Sequence, residues 1–409
     1  MSSSSDTGAL HGIRVIDLSR ILAGPWATQV LADLGAEVIK VESPDGGDGT
    51  RAWGPPFIDG SGSDAAYFTS CNRNKRSVCI DFAKPEGAEL VTELVKTADV
   101  LVQNFKVGGL DKYGLDEKTL RALNPKLIYC SISGFGSTGP YASRPGYDFL
   151  IQAMGGLMSI TGAPDGQPGA EPMKTGVAIC DLFTGLYAAN AIQAALIHRT
   201  QSGVGQHIDC SLLDSQIAML ANQGSNWLVG NQIPERLGNE HPNIMPYKAY
   251  EVADGHFILA VGNDGQFQRF SKVIQRADLA SDERFITNPQ RVTNRQSLDD
   301  ILIPILKLWQ RDDLLHAREV ANVPAGPIRK VNEVFNDPHV EHRKLKVKQK
   351  RANGVAIDTV GFPVQLSETP AIYQHAPPEL GEGTDVVLGQ LLGLSIEELR
   401  KFHENNVIS

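Results

Sequence analysis

Residues 12–42 read GIRVIDLSRILAGPWATQVLADLGAEVIKVE. The run IRVIDL (13–18) is short, apolar and rich in β-branched residues, the pattern of a strand buried on both faces. Gly24 and Pro25 follow. Pro25 suits the first turn of a helix, where its missing N–H is not needed. That helix is expected to run to about Leu34 and stop at Gly35. Glu37–Glu42 (EVIKVE) then reads as a second strand. Strand, helix and strand in this order form a right-handed βαβ unit, the building block of a parallel sheet.

The pattern continues outward. Strands are expected over 77–82, 99–103 and 127–133, with a helix over 85–97 opened by Pro85. Open α/β sheets place ligands at the carboxyl ends of their strands, which points at 19–25, 83–85, 104–109 and 134–141. No Walker A motif occurs there and no G-x-G-x-x-G follows the first strand, so an ordinary nucleotide-binding domain is disfavoured. Residues 181–199 are apolar nearly all round and predict a buried helix ended by Gly203. A strand over 206–211 and a helix to about Val229 follow. Residues 234–246 turn polar and Pro-rich, as a linker does. Tyr247–Val252 and 256–261 flank Asp254-Gly255, a hairpin signal. The C-terminal helix opens with a capping box, Ser395 to Glu398.

The chain has 409 residues, 42% apolar and 21% charged, ordinary for a soluble globular protein of more than one domain. A net charge of -9 argues against nucleic-acid or acidic-membrane binding, so any polyanionic ligand needs a local basic cluster. The five cysteines are scattered without C-x-x-C or zinc spacing, which reads as buried free thiols and no metal site. No apolar run reaches membrane-spanning length, since Asn190 and Gln193 interrupt the longest candidate. The polar start, MSSSSDTGAL, resembles neither a signal nor a transit peptide, and a cytoplasmic location is expected.

Several stretches in fixed order, 12–42, NRNKRSVCIDF (72–82), ADVLVQNFKVGGLDKYGL (98–115), NPKLIYCSISGFGSTGPY (124–141), RPGYDFLIQAMGGLM (144–158) and GVAICDLFTGLYAANAI (176–192), resemble the class III CoA-transferases. ELGEGTDVVL (379–388) matches weakly. Within that family the chain is most similar to the succinyl-CoA–glutarate branch. The resemblance implies an α/β fold with a Rossmann-like parallel-sheet large domain built from both chain ends and a smaller α+β domain from the middle. It also implies an interlocked homodimer. The corresponding boundaries are 1–234 and 326–409 for the large domain and its return, and 235–325 for the small one.

The family's nucleophilic aspartate aligns with Asp181. Left to itself, an aspartate opening a helix reads as an N-cap. A carboxylate there meets free N–H groups and a favourable dipole, which are expected to keep it ionised at neutral pH. An ionised carboxylate can attack an acyl-CoA thioester and form a mixed anhydride, splitting one hard exchange into easier ones. The implied substrates are a CoA thioester and a short carboxylic acid, with no permanently bound cofactor.

The resemblance further implies CoA contacts from Ile21, Leu22, Ala23, Arg51, Arg76, Ile80, Asn104, Phe105, Lys106 and Lys112. Arg73 and Lys75 join the basic candidates; for any one cation, solvated surface charge is the plainer reading. Ser43 and Ala83 lack the cation some relatives carry there, and 247–263 lacks the glycine-rich loop of formyl-CoA transferase. Tyr147 stands where the racemase branch carries histidine, which favours transfer over racemisation; core packing accounts for it equally. Lys174, seven residues before Asp181, is the candidate for holding a distal carboxylate, and His241 a candidate at the entrance. A 2-methylacyl-CoA racemase and a non-catalytic CoA-binding protein remain the alternatives.

Overall fold

The computed structural model describes residues 8–58 and 64–409. They fall into two compact units. The first holds the chain up to Leu157, then Lys174–Gly230 and Pro338–Ser409; the second holds Met158–Met173 and Asn231–Asp337.

In chain order the first unit begins β1 (Arg14–Asp17), α1 (Ala23–Asp33), β2 (Glu37–Glu42), α2 (Ala66–Thr69), β3 (Lys75–Cys79), α3 (Pro85–Lys96), β4 (Val100–Gln103) and α4 (Glu117–Leu123). It continues with β5 (Ile128–Ser133), α5 (Asp148–Met154), α6 (Ile179–Ser202), β6 (His207–Ser211), α7 (Leu212–Met219) and α8 (Ala221–Gly230). The six strands form one parallel sheet in the order β3-β2-β1-β4-β5-β6. The order reverses between β1 and β4, so a crevice opens beyond their carboxyl ends.

Alternate residues of the four inner strands enter opposite cores. Ile16, Ile39, Val78, Leu101 and Tyr129 pack with Leu90, Val91 and Leu94 of α3 on one face. Val15, Val38, Val100, Val102 and Ile128 pack with Ala27 and Leu31 of α1 and Ala188 and Ile192 of α6 on the other. Both faces are covered, which is why the strands read as unbroken apolar runs. By length and composition α6 passes for a membrane span, contrary to the expectation from the bare sequence. Its stripe of Cys180, Gly185, Ala188, Ala189, Ile192 and Ala195 is instead buried, and it packs on α1. At Gly185 a Cβ would lie 2.6 Å from the Ala23 carbonyl, so only glycine permits this approach.

The second unit holds β7 (Tyr247–Val252), β8 (Gly255–Ala260), α9 (Asp264–Val273), α10 (Asn288–Thr293), α11 (Arg295–Leu306), α12 (Arg311–Val320), β9 (Ala325–Pro327) and α13 (Val331–Val334). Its three strands are antiparallel, and Phe257, Leu259, Phe267, Phe270, Leu298 and Leu302 fill its core. The chain then returns to the first unit through α14 (Pro338–His342), the hairpin β10 (Lys346–Lys350) and β11 (Ala356–Val360), α15 (Thr384–Leu392) and α16 (Ile396–Glu404). The free edge of β3 is clothed by this return. Cys79 N–H donates to Thr384 Oγ1, Gly381 N–H to Ser77 Oγ, and Ile80 bridges Ile408.

Candidate active site

The loop after β1 is fixed from below by buried charge. Lys75 Nζ donates to Asp17 Oδ2 at 3.0 Å, to the Pro25 carbonyl at 2.9 Å and to Asn72 Oδ1 at 2.9 Å. All three ammonium protons are satisfied, which is what burying such a group requires. Lys40 Nζ donates to the Ser19 carbonyl at 2.8 Å and pairs with Asp48 at 3.0 Å. Burial would push the Asp17 carboxyl up, but Lys75, Lys40 and the Ser19 and Thr28 hydroxyls outweigh it and hold it at about 2.

Above this network Ile21 adopts φ 72°, a left-handed conformation that a β-branched residue rarely takes. Its N–H donates to both oxygens of Asp48 at 3.2 Å. The loop after β4 is tied to it. Arg20 N–H donates to Asn104 Oδ1 at 2.8 Å, and Asn104 Nδ2 donates back to the Arg20 carbonyl at 2.6 Å. The Arg20 guanidinium lies over the Phe105 ring, 4.5 Å from its centroid.

Beyond these two loops lies a cavity of about 200 Å³. The expected residues Ile21, Leu22, Ala23, Asn104, Phe105, Lys106, Tyr147 and Asp181 all line it, together with Arg20 and Arg144. Asp181 is the only carboxyl group among its lining residues.

Asp181 is not the N-cap. Helix α6 starts at Ile179 after Ala178, whose side chain cannot cap. Asp148, the first residue of α5, does that work from elsewhere in the chain: its Oδ1 accepts the Cys180 N–H at 2.8 Å. Its other oxygen accepts from Gln152 Nε2 at 2.6 Å, and Gln152 Oε1 accepts the Thr175 N–H at 2.9 Å. Asp181 is therefore free to face the cavity. The expectation that the helix start keeps it ionised is corrected here: burial, followed by the charge of Asp148, pushes its carboxyl up to about 7. The same two carboxylates reach Tyr67, whose hydroxyl is pushed up to about 12 by burial and then by Asp181. Neither Asp148 nor Tyr67 was singled out from the sequence.

Other expected residues lie elsewhere. Arg51 is buried, held by Glu42 and Asp64 at 2.7 Å each, with its guanidinium 3.7 Å over the Phe68 ring. Arg73 is buried against Asp33, and Lys75 against Asp17. Arg76 pairs with Glu37 at 3.3 Å near the amino ends of the strands. Ile80 is a core residue. These positions read as cationic or apolar ligand contacts in one dimension because the sequence does not show which carboxylates they meet. Lys112 lies over the Tyr113 ring at 4.6 Å and lines a separate cleft with Phe82, Ala83 and Lys84. Lys174 is exposed; its Nζ donates to the Thr175 carbonyl at 3.2 Å and it does not line the Asp181 cavity. His241 belongs to the second unit, where its Nδ1 accepts the Asn243 N–H at 3.0 Å and its ring meets Tyr247 edge-on. Burial and Arg295 push its pKa down. Among the described residues no cluster of three histidines, cysteines or acids could hold a metal ion.

An acidic residue of raised pKa in a cavity at the switch point of a parallel sheet, whose lining also holds three cations, suits covalent work on an anionic acyl donor. Comparison with known proteins agrees. The model of CoA-transferase family III matches residues 10–384. A succinate–glutarate CoA-transferase of Agrobacterium fabrum is 54% identical over 385 residues, covering 93% of this chain and 95% of that protein. The succinyl-CoA:glutarate CoA-transferase of Homo sapiens is 39% identical over 391 residues, covering 96% and 88%. A crystal structure of a CAIB/BAIF family protein from Brucella suis superposes with a TM-score of 0.83 at 52% identity, covering 95% of this chain and 100% of that one. The six-stranded parallel sheet, the cavity at its switch point and a match along most of the chain place this protein in CoA-transferase family III.

Proposed function

We propose that the protein transfers CoA from succinyl-CoA to a short dicarboxylate such as glutarate, with Asp181 as nucleophile. The observation that carries this reading is the isolation of the Asp181 carboxyl in a cavity lined by Arg20, Lys106 and Arg144. Both named relatives take succinate or its CoA ester together with glutarate.

Asp181 attacks the thioester carbonyl and CoA thiolate leaves, giving a succinyl–aspartyl anhydride. The thiolate then attacks the aspartyl carbonyl, releases succinate and leaves an aspartyl-CoA thioester. The acceptor carboxylate attacks that thioester and frees the thiolate again, forming a second anhydride. Attack of the thiolate on the acceptor's carbonyl gives the new CoA ester and restores Asp181. Thioester energy is conserved at every step, so no nucleotide is consumed. The raised pKa strengthens Asp181 as a nucleophile once ionised. CoA is held by the loops after β1 and β4, with Ile21, Leu22, Ala23, Asn104, Phe105 and Lys106 as its contacts. Lys112, in its own cleft, remains a contact for an outlying part of the same ligand.

The working form is an interlocked homodimer. Phe183, Leu186 and Tyr187 on the outer side of α6 are exposed, as are Leu228 and Val229 of α8 at 81% and 85%. An apolar face of this extent suits a second copy of the chain.

Purified protein mixed with succinyl-CoA and glutarate is expected to yield glutaryl-CoA, read by mass spectrometry. Succinyl-CoA alone is expected to leave a CoA adduct on the peptide containing Asp181. Absence of both overturns the reading.

A further inference from the structure

Arg144 has an unusual position for an arginine beside an acidic site. It lines the Asp181 cavity, yet among the described residues it has no carboxylate partner. Most of the other arginines of the first unit's N-terminal half, Arg14, Arg51, Arg73, Arg76 and Arg121, are paired with acids. Its side chain is nevertheless oriented. The guanidinium stacks on the Tyr141 ring, 3.9 Å from the centroid. Tyr141 in turn meets Phe135 edge-on at 5.6 Å, just beyond the end of β5. The Arg144 N–H donates to the Tyr141 carbonyl at 2.9 Å, closing the turn that sets the stack. A stacked guanidinium keeps its edge donors free for a planar anion.

The three cations of the cavity are not equivalent in placement. Arg20 and Lys106 belong to the loops after β1 and β4. Arg144 belongs to the segment that leads into α5, and Asp148 of that segment is bonded to the Cys180 N–H, next to Asp181. Arg144 is thus tied through its own segment to the nucleophile's turn.

We infer that Arg144 binds the free carboxylate of the dicarboxylic substrate, in place of Lys174, and so selects dicarboxylates over monocarboxylates. The inference rests on the reaction proposed above. It concerns both the succinyl group of the donor and the acceptor acid, because the two occupy the same place in turn.

The test is the acceptor preference of Arg144→Met. In a ping-pong exchange kcat/KM for the acceptor reports the second half-reaction alone, whatever the donor. The ratio of kcat/KM for glutarate to that for butyrate is expected to fall roughly ten- to a hundredfold in R144M, the worth of a charge-assisted pair. Inhibition constants supply the same ratio for an acid that turns over too slowly. Arg144→Lys is expected to restore part of the preference, and Lys106→Met to leave the ratio unchanged. A purely structural role would lower both acids alike and leave the ratio fixed, which would overturn the inference. So would a matching loss of affinity for free CoA with the ratio unchanged, which would assign Arg144 to a phosphate. If wild-type protein makes no CoA ester from either acid, the proposed reaction fails, a result distinct from an unchanged ratio.

Discussion

The Asp148 carboxylate accepts a 2.8 Å hydrogen bond from the backbone N–H of Cys180, so the acid that caps α6 lies beside the acid that faces the cavity. This arrangement sets a pH dependence. Only ionised Asp181 attacks a thioester, and its pKa is near 7. The kcat/KM for succinyl-CoA should rise with pH through that value, with about a tenth of the plateau one unit below it. Asp148→Asn keeps an acceptor for the Cys180 N–H and removes the charge, so its acid limb should move to lower pH. A D148N profile that overlays the wild-type curve would show that Asp148 does not tune the nucleophile.

Asp181→Asn should abolish transfer and alter stability in a direction fixed by linkage. The folded pKa, about 7, exceeds the ordinary value of 3.8. Between these values the fold keeps a proton that the unfolded chain releases, so Asp181 increasingly opposes folding as pH rises through the window. The Tm of D181N should exceed that of wild type at about pH 8, and the gap should close on acidification to about pH 4. A gap that stays constant across that range contradicts the assignment.

Lys75→Met leaves the Asp17 carboxylate, the Pro25 carbonyl and Asn72 without their shared donor. Removing one partner of a buried pair costs about 3–5 kcal/mol. Urea denaturation of K75M should show a loss of that order. A loss below about 1 kcal/mol, the scale of an exposed pair, would mean that the network does not hold the switch-point loop.

The exposed face of α6 and α8 supplies a test of assembly. Light scattering should give twice the chain mass, and dilution to nanomolar concentration should not release folded monomer. Leu228→Asp with Val229→Asp should reduce the yield of folded protein. A monodisperse monomer of the wild-type chain refutes the interlocked dimer.

Much of the parallel sheet was legible in the sequence because both faces of its strands are apolar and each helix between them carries a start signal. β2 was read to the residue, and α3 opens at Pro85 as Pro85 implies. β3 starts two residues earlier than expected, at a lysine, because Lys75 is buried through its pairing with Asp17 and so breaks the apolar signal. The hairpin of β10 and β11 was not seen: Lys346, Lys348 and Lys350 are exposed on one side, and on the other Gln349 and Thr359 alternate with Val347 and Ile357, which breaks the apolar signal. In the candidate site, the loops after β1 and β4 were marked by position in the unit, and Asp181 by resemblance alone. Arg144, Asp148 and Tyr67 were not, since a cation stacked on a tyrosine or an acid that caps a distant helix looks like any other polar residue until the chain is folded.

The clothing of β3 by the returning chain has a consequence for biosynthesis. Ser77, Cys79 and Ile80 find their partners at Gly381, Thr384 and Ile408, and the buried Asp64 meets Arg351 only after the chain has come back. A ribosome that has made the first half of the polypeptide has therefore made a sheet with one bare edge. That edge stays exposed through translation of the whole second unit, an interval in which it can pair with another nascent chain. Neighbouring copies on one messenger would then meet while still open, the stage at which two rings can be threaded through each other.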